Sequence, residues 1–295
     1  MSAVRARAYH VPWMPMATSL RQSGEVARAV ADRSVERNDE MKAGWKALGT
    51  ILLAGALVAG ASPATAAAPQ GSAYTCEGGN VPSGTYSQLT IAGFCGVDSG
   101  AEITVSRNVM VMPGAVFDAQ SAPSTIMVAG NVTAGAGSML GLGCQPGRPG
   151  NSGHPCMLDE TAHSTITVKG NVTADGVVGL FLNGITVGRN ISVRGGGSDI
   201  PWSIKNNTVA RNITVSSITE EWIGVMWNSV GGNVTLTDIE MTGLDDQAGT
   251  GLNDVFVVRN EIGRNLVCSG LVPGAFGYGN SIGRNATGDC AALAG

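Results

Sequence analysis

A short phrase of alternating apolar and polar residues recurs along the chain. It consists of apolar–x–apolar, two further residues, an asparagine, and a second apolar–x–apolar or apolar–x–small piece. The four clearest copies run over residues 103–111, 126–134, 166–174 and 185–193. Because Ile, Val and Thr fill the alternating positions and helical periodicity is absent, the phrase predicts short β-strands.

The asparagine of the phrase marks a repeat. Looser copies of the phrase extend the series to eight members, whose successive sequence numbers differ by 23, 40, 19, 22, 21, 32 and 20. We interpret this as a base period of about 20 residues with one double step and one insertion, which is typical of a stack of similar units. The members are Asn108, Asn131, Asn171, Asn190, Asn212, Asn233, Asn265 and Asn285.

Two short strands flank each asparagine corner, and a third apolar piece such as Ala115–Phe117 often follows. Three short strands per period predict an all-β fold, a right-handed parallel β-helix (β-solenoid) of about ten coils stacked ~4.8 Å apart. The repeated asparagine then has a structural role. Asparagine tolerates left-handed backbone angles at a sharp corner, and its amide can bond to the same asparagine one coil away in a ladder.

The start of the chain reads as a targeting segment. Residues 41–66 combine a short basic start, an apolar run over 51–60 and a small–x–small cleavage pattern at Ala64–Ala66, which predicts a secretory signal peptide. Residues 1–40 are interpreted as an upstream extension from a misassigned start codon, with a genuine leader as the alternative. Residues 67–295 then form a single β-helix domain of a secreted, extracellular protein.

Composition narrows the function classes. Residues 67–295 hold 10 Lys and Arg against 17 Asp and Glu, a net charge of −7, which argues against a nucleic-acid partner. The 43 glycines follow no Gly-X-Y period, so collagen is excluded. The charged fraction of only 14% argues against a disordered chain.

All six cysteines follow the predicted signal peptide, and an even number in that context indicates disulfides. Fifteen pairings are possible, and proximity in sequence favours Cys76–Cys95, Cys144–Cys156 and Cys268–Cys290. No Cys-x-x-Cys spacing occurs and the histidines stand apart, so we predict no metal. No cofactor is predicted either.

The first departure from the repeat covers residues 135–164 and contains His154 and His163. Histidine is the side chain most easily tuned for proton transfer near neutral pH, so both are candidate catalytic residues. The alternative is a stapled surface loop with an incidental histidine.

The second departure, residues 194–228, holds Trp202, Trp222 and Trp227. Trp202 and Trp222 are separated by one base period of about 20 residues and are therefore expected on the same side of neighbouring coils. Exposed rings in a row would suit the apolar faces of sugars, whereas buried rings would fill the core.

Basic residues gather in the same part of the chain. Arg189 and Arg211 occupy equivalent corners one coil apart, and Lys205 lies between them. They are candidates for binding the carboxylate of a polyanion, with solvated corner positions as the alternative.

The third departure is the insertion 238–259, which contains the pair Asp245–Asp246. Paired carboxylates could hydrolyse glycosidic bonds or hold calcium. The Gly-His-Gly and Arg-x-Lys companions of polygalacturonase-like β-helices are missing, so a solvated acidic loop is the favoured interpretation.

Several motifs carry a resemblance: residues 75–80 (TCEGGN), residues 82–86 (PSGTY), the Gly-Asn-Val-Thr coils, residues 262–268 (IGRNLVC) and Asp289-Cys290. Over residues 72–292 the chain resembles small secreted actinobacterial right-handed parallel β-helix proteins. Its size and layout are also similar to secreted hyaluronate lyases of Streptomyces type. The shared motifs belong to the scaffold and identify no catalytic residue.

The resemblance implies a secreted polysaccharide lyase that cleaves an acidic, uronate-containing glycan such as hyaluronan by β-elimination. In that scheme Arg189, Arg211 or Lys205 would bind the carboxylate, and His154, His163 or Tyr278 would move protons. The tryptophans would hold sugar rings. We expect a monomer with an acidic polysaccharide as partner, no nucleic acid, and no membrane association after signal cleavage.

Two other interpretations stay open, and a third is disfavoured. One is a non-catalytic extracellular glycan-binding protein, and another is a self-assembling structural solenoid. The third, an ice-binding face, would need a flat threonine ladder, and Thr167, Thr173, Thr214 and Thr235 are expected to be too scattered between strands for that.

Overall fold

The computed structural model describes residues 71–243 and 255–293, all of which fall in one compact unit of the chain. The predicted extension 1–40 and signal peptide 41–66 lie outside the described residues. No helix within the two described ranges is long and apolar enough to cross a membrane.

The described residues form β-strands, one short 3-10 helix (Ala291–Leu293) and no α-helix. The strands are, in chain order, β1 (Ala73–Val81), β2 (Gly84–Tyr86), β3 (Gln88–Val97), β4 (Ala101–Val105), β5 (Val109–Val111), β6 (Val116–Ala119), β7 (Ser124–Val128), β8 (Val132–Ala134), β9 (Met139–Leu142), β10 (Thr165–Val168), β11 (Val172–Val177), β12 (Gly179–Asn183), β13 (Thr186–Val187), β14 (Ile191–Gly196), β15 (Trp202–Lys205), β16 (Thr208–Val209), β17 (Ile213–Glu220), β18 (Ile223–Met226), β19 (Ser229–Val230), β20 (Val234–Met241), β21 (Val255–Val258), β22 (Glu261–Ile262), β23 (Leu266–Val272), β24 (Ala275–Phe276), β25 (Ser281–Ile282) and β26 (Ala286–Gly288).

The strands stack in parallel on three faces, and each strand pairs with its counterpart from the next repeat. The first face runs β1-β3-β5-β8-β11-β14-β17-β20-β23-β26, where β1 and β3 contribute their first halves. The second face runs β1-β3-β6-β9-β12-β15-β18-β21-β24, starting from the second halves of β1 and β3. The third runs β2-β4-β7-β10-β13-β16-β19-β22-β25. The protein is therefore all-β with long parallel sheets, an arrangement consistent with a β-solenoid.

The interpretation of the long spacing between Asn131 and Asn171 as a double step was wrong. Val132 of β8 pairs directly with Val172 of β11, so the chain makes one passage that carries a long insertion. The extra residues lie between β9 and β10, where residues 143–164 form no strand of the three stacks.

The core consists of aliphatic side chains stacked on their own copies. Successive inward positions on the third face meet in register, and each is at most 2% exposed: Val128, Val168, Val187, Val209 and Val230. Burial of one such side chain contributes about 1.5–3 kcal/mol. Because inward positions repeat with period two along each strand, the alternate residues point outward and are free to vary.

The eight repeated asparagines form the predicted ladder at the corner between the third and first faces. Each asparagine Oδ1 accepts the backbone N–H of the next member, as in Asn131 N to Asn108 Oδ1 at 2.9 Å and Asn265 N to Asn233 Oδ1 at 3.1 Å. The expected left-handed backbone was wrong, because none of the eight has a positive φ. The side-chain ladder alone therefore explains the asparagine at this corner.

A second asparagine ladder, missed in the sequence, lies at the corner between the second and third faces. Its members are buried, and they stand five positions before the asparagines of the first ladder: Asn207, Asn228, Asn260 and Asn280. Each side-chain Nδ2 also donates to a backbone carbonyl, for example Asn228 to Ile204 O at 2.8 Å. The residue before each member has a positive φ: Asn206, Trp227, Arg259 and Gly279.

The three disulfides confirm the pairing expected from sequence proximity: Cys76–Cys95, Cys144–Cys156 and Cys268–Cys290. The first joins β1 to β3, and the last joins β23 to the residue before the 3-10 helix. The first therefore ties the outermost strand β1 to its neighbour, and the last ties the chain after β26 back to β23. Three disulfides are compatible with an extracellular protein.

We predict that Asn228→Ala lowers the free energy of unfolding by about 3–5 kcal/mol, because it leaves several buried polar groups unpaired. The Asn228 side chain bonds to Asn207 N, Asn207 Nδ2, Ile204 O and Asn260 Oδ1 at 2.8–3.0 Å. The control is Asn285→Ala, which alters an exposed position at the end of the first ladder. Guanidinium unfolding of wild type and of the two variants measures the loss of stability. Equal loss in the two variants would contradict a structural role for the buried ladder.

Candidate functional site

Residues 143–164, here called the pinned segment, pack against the second face. Gln145 and His154 exchange two backbone hydrogen bonds of 2.7 and 2.9 Å, and the Cys144–Cys156 disulfide closes the loop beside them. Ser152 N donates to Asn206 Oδ1 at 3.0 Å, which ties the segment to the corner after β15.

His154 lies between the pinned segment and the second face. Its Nε2 is 2.9 Å from Gln120 Oε1, and its ring stacks at 6.3 Å on Phe181 of β12. Burial, together with the positive charge of Lys205 nearby, lowers the pKa of His154 to about 3. The imidazole is therefore neutral at physiological pH, and a pKa this low makes it a weak base.

Lys205, at the end of β15, is half-buried beside the pinned segment, and burial lowers its pKa to about 8. Its register partner Asn183 on β12 is buried, and Asn183 Nδ2 has no hydrogen-bond partner among the described residues. A lysine in this setting holds a substantial neutral fraction just above pH 8, which an ordinary surface lysine does not.

The three residues proposed for proton transfer, His154, His163 and Tyr278, do not lie in one site. His163 is exposed at the end of the pinned segment. Tyr278 contacts Phe276 of β24, four strand steps from Phe181, where His154 packs. At about 4.8 Å per step the two sites are separated by roughly 19 Å along the stack.

An aromatic strip covers the outer side of the second face beyond the pinned segment. Trp222 lies 5.3 Å from Phe256, Phe256 lies 5.2 Å from Phe276, and Phe276 lies 6.2 Å from Tyr278, measured between ring centroids. Phe276 and Tyr278 are exposed, at 37% and 52%. Gly224 makes this packing possible, because a Cβ at that position would collide with the Trp222 ring.

Arg259 joins the strip at the corner between the second and third faces. Its guanidinium carbon lies 5.5 Å from the Trp227 ring and 5.8 Å from the Tyr278 ring, within the range of cation–π attraction. Both Trp227 and Arg259 adopt a positive φ, at 53° and 51°, which is unfavourable for bulky side chains. The fold holds this strain at a corner where an exposed cation lies between two aromatic rings.

Trp202 corrects the expectation that it shares a surface with Trp222. It is fully buried in the core, and its indole N–H has no partner among the described residues. Trp202 pairs in register with Ile223, so Trp222, one position before that partner, points to the opposite side of the sheet. Trp202 therefore fills the core, while Trp222 belongs to the strip and Trp227 lies beside it at the corner.

Arg189 and Arg211 do lie on neighbouring repeats, as expected, with Arg211 N donating to Arg189 O at 3.0 Å. They are exposed at the corner between the third and first faces. Lys205 and the two outward tryptophans belong to the second face and its other corner. The structure thus divides the basic residues between two surfaces.

Three of the four threonines, Thr173, Thr214 and Thr235, are not scattered, contrary to expectation, while Thr167 lies on a different face. Thr173, Ser192, Thr214 and Thr235 follow one another in register on the first face, and Thr167 pairs with Thr186 on the third. Each member of the first-face column stands two positions after a ladder asparagine, so the asparagine spacing dictates its register. The expectation of scattered threonines was therefore wrong for the first face.

Glu220 was not singled out in the sequence. It ends β17 fully buried, where its Oε2 accepts the N–H of Ser198 at 2.8 Å and its Oε1 has no partner among the described residues. Burial raises its pKa to about 8 against the opposing effect of backbone hydrogen bonds. Asp245 and Asp246 of the acidic insertion lie outside the described residues.

No protein-family model matches the chain, and no curated protein or solved structure matches it either. The resemblance to actinobacterial β-helix proteins stays a prediction.

The strip residues could have been found from the repeat. Trp227, Arg259 and Gly279 each stand six positions before a ladder asparagine, and Phe256 and Phe276 stand nine before. Alignment on the asparagines, rather than on an average period, would have placed them in two columns.

We predict that Glu220→Gln removes a pH dependence of stability. A folded pKa near 8, above the ordinary 4.5, means that the native state binds the extra proton, so wild-type stability falls as pH rises from about 4.5 to 8. The slope is about 1.4 kcal/mol per pH unit within that window. The variant should therefore be more stable than wild type at pH 8. Denaturant unfolding of both proteins at several pH values measures the difference.

Glu240→Gln is the matched control, because Glu240 is exposed on the neighbouring strand β20. If the free energy of unfolding varied with pH in the same way for wild type and Glu220→Gln, the raised pKa of the buried carboxyl would be contradicted.

Proposed function

We propose that the protein is a secreted extracellular protein that binds an acidic polysaccharide on the aromatic strip. The observation that carries the proposal is the run of ring contacts from Trp222 to Tyr278, with Arg259 held between Tyr278 and Trp227. Two exposed rings, Phe276 and Tyr278, beside an exposed cation match the chemistry of a sugar that carries a carboxylate.

The physical reasons are separate for rings and cation. Aromatic faces pack against the C–H faces of sugar rings and exclude water there. The planar guanidinium of Arg259 can donate two parallel hydrogen bonds to one carboxylate while its face stays on the aromatic rings. Neutral glycans would keep the packing on the aromatic rings and lose the hydrogen bonds to the guanidinium.

The proposal includes the finer architecture. A right-handed parallel β-helix of about ten coils with a period near 20 residues would present the strip as a row of side chains at about 4.8 Å intervals. Signal-peptide cleavage near residue 66 would release the domain outside the cell, where the disulfides persist.

We predict that Arg259→Gly weakens hyaluronan-oligosaccharide binding at least tenfold in calorimetric titration. Glycine removes the guanidinium and suits the positive φ, as at Gly279 one repeat on, so the backbone should be retained. Arg194→Ala is the control, because it deletes the same charge from an exposed position on the first face. Equal affinities for the two variants would contradict the proposal.

Cleavage by β-elimination is a second candidate function, favoured by Lys205. Met226 pairs with both Lys205 and Val258, so Lys205 lies two strand steps, about 10 Å, from the position preceding Arg259. A neutral lysine amine would take the proton beside the uronate carboxylate. The C4–O bond would then break, its electron pair leaving on the oxygen, which takes up a proton, while the C4=C5 double bond forms.

The lyase hypothesis predicts ultraviolet absorbance from the unsaturated product when the protein is incubated with hyaluronan. The rate should climb as pH rises through about 8, since the neutral amine is the base. Lys205→Met should abolish the signal while binding at Arg259 is retained. No absorbance gain over the pH series with several uronate polymers would exclude catalysis and leave the binding proposal standing.

A further inference from the structure

A second cationic surface lies at the corner between the third and first faces, away from the aromatic strip. The residue before each ladder asparagine occupies one column there, linked by backbone bonds such as Arg211 N to Arg189 O at 3.0 Å and Arg284 N to Arg264 O at 2.9 Å. The column reads Arg107, Gly130, Gly170, Arg189, Arg211, Gly232, Arg264 and Arg284.

Four arginines fall within the last five positions, and we call Arg189, Arg211, Arg264 and Arg284 the arginine corner. All four are exposed, and over the described ranges none of their guanidinium groups has a hydrogen bond or ion pair. At about 4.8 Å per position they span roughly 19 Å. Like charges this close repel one another at physiological salt, because the Debye length is about 8 Å.

Gly232 opens a groove in this column. A groove of about 280 Å³ is lined by Ala210, Arg211, Asn212, Gly231, Gly232 and Arg264. A side chain at Gly232 would collide with the Arg211 carbonyl and the Asn212 side chain, so glycine is required. Arg211 and Arg264 therefore flank an open site about 10 Å wide, two strand steps apart.

Hydroxyl side chains border the corner on both sides. Thr186, Thr208 and Ser229 stack in register on the third face. On the first face the neighbouring column is Ser192, Thr214 and Thr235. Both hydroxyl columns are interrupted in the repeat of Arg264, where Glu261 follows Ser229 and Val267 follows Thr235. The repeats of Arg189, Arg211 and Gly232 therefore have hydroxyl side chains on both sides of the corner and no carboxylate in these two columns.

We propose that the arginine corner is a second binding site, for a linear anionic polysaccharide whose sulfate or carboxylate groups repeat at one or two strand spacings, about 5 Å or about 10 Å. One anionic group would sit over Gly232 between Arg211 and Arg264, and neighbouring groups would meet Arg189 and Arg284. The ligand relieves the repulsion among the four cations, which is the physical source of the affinity. This inference does not depend on the function proposed for the aromatic strip.

The test is titration of the whole secreted protein with size-defined heparin fragments at low and physiological salt. Wild type should bind, and its affinity should fall steeply as salt rises. The double variant Arg211→Ala/Arg264→Ala should bind at least tenfold more weakly. It should stay folded, because the backbone bonds of both residues are retained, and near-ultraviolet circular dichroism checks this.

The matched control is Arg148→Ala/Arg194→Ala, which removes the same charge from two exposed positions outside the column. Heparin affinity equal in the two double variants would overturn the proposal. Arg259→Gly separates the sites, since it should reduce hyaluronan binding on the strip and leave heparin binding at the corner unchanged.

Competition identifies the anionic group. Displacement of heparin by dextran sulfate assigns sulfate, and displacement by polyglucuronate assigns carboxylate, both within the proposal. Displacement by inorganic polyphosphate alone, with no binding of either polysaccharide, would contradict a polysaccharide site.

Discussion

Stacking of each strand on its own copy from the next repeat is the constraint on which everything else depends. Inward positions must match their neighbours in shape, and the valine column of the third face shows the result. Corners must satisfy backbone groups at every repeat, and two asparagine ladders do so with side-chain amides. Once these two demands are met, outward positions are free to carry function.

Function can therefore arise wherever one outward column differs from the rest. On the second face, Gly224, Phe256 and Phe276 follow one another in register, and the Trp222 ring contacts Phe256. At the following corner a positive φ holds Arg259 between two rings. On the opposite corner arginine replaces glycine in four of five successive repeats. One scaffold thus presents two cationic surfaces of different chemistry, one aromatic and one rich in hydroxyl groups.

Much of the scaffold was accessible from the sequence, because its rules are local and repeated. The strand phrase, the asparagine ladder and the three disulfide pairs follow from spacing alone. The side on which a residue emerges does not follow from an average period. Repeats vary by a residue or two, and one residue reverses a side chain, which is why Trp202 lies in the core and Trp222 outside. Burial of Glu220 and the low pKa of His154 depend on contacts between distant segments, which spacing cannot reveal.

Hydroxyl-radical footprinting with and without an acidic polysaccharide is the direct test of binding on the aromatic strip, because it reports each aromatic side chain separately. If the strip binds the polysaccharide, hyaluronan protects Phe276, Tyr278 and Trp222, while Phe94, exposed at 65% on β3, stays reactive. Buried Trp202 should be unreactive in both conditions. Unchanged reactivity of Phe276 and Tyr278 under saturating polysaccharide would contradict binding on the aromatic strip.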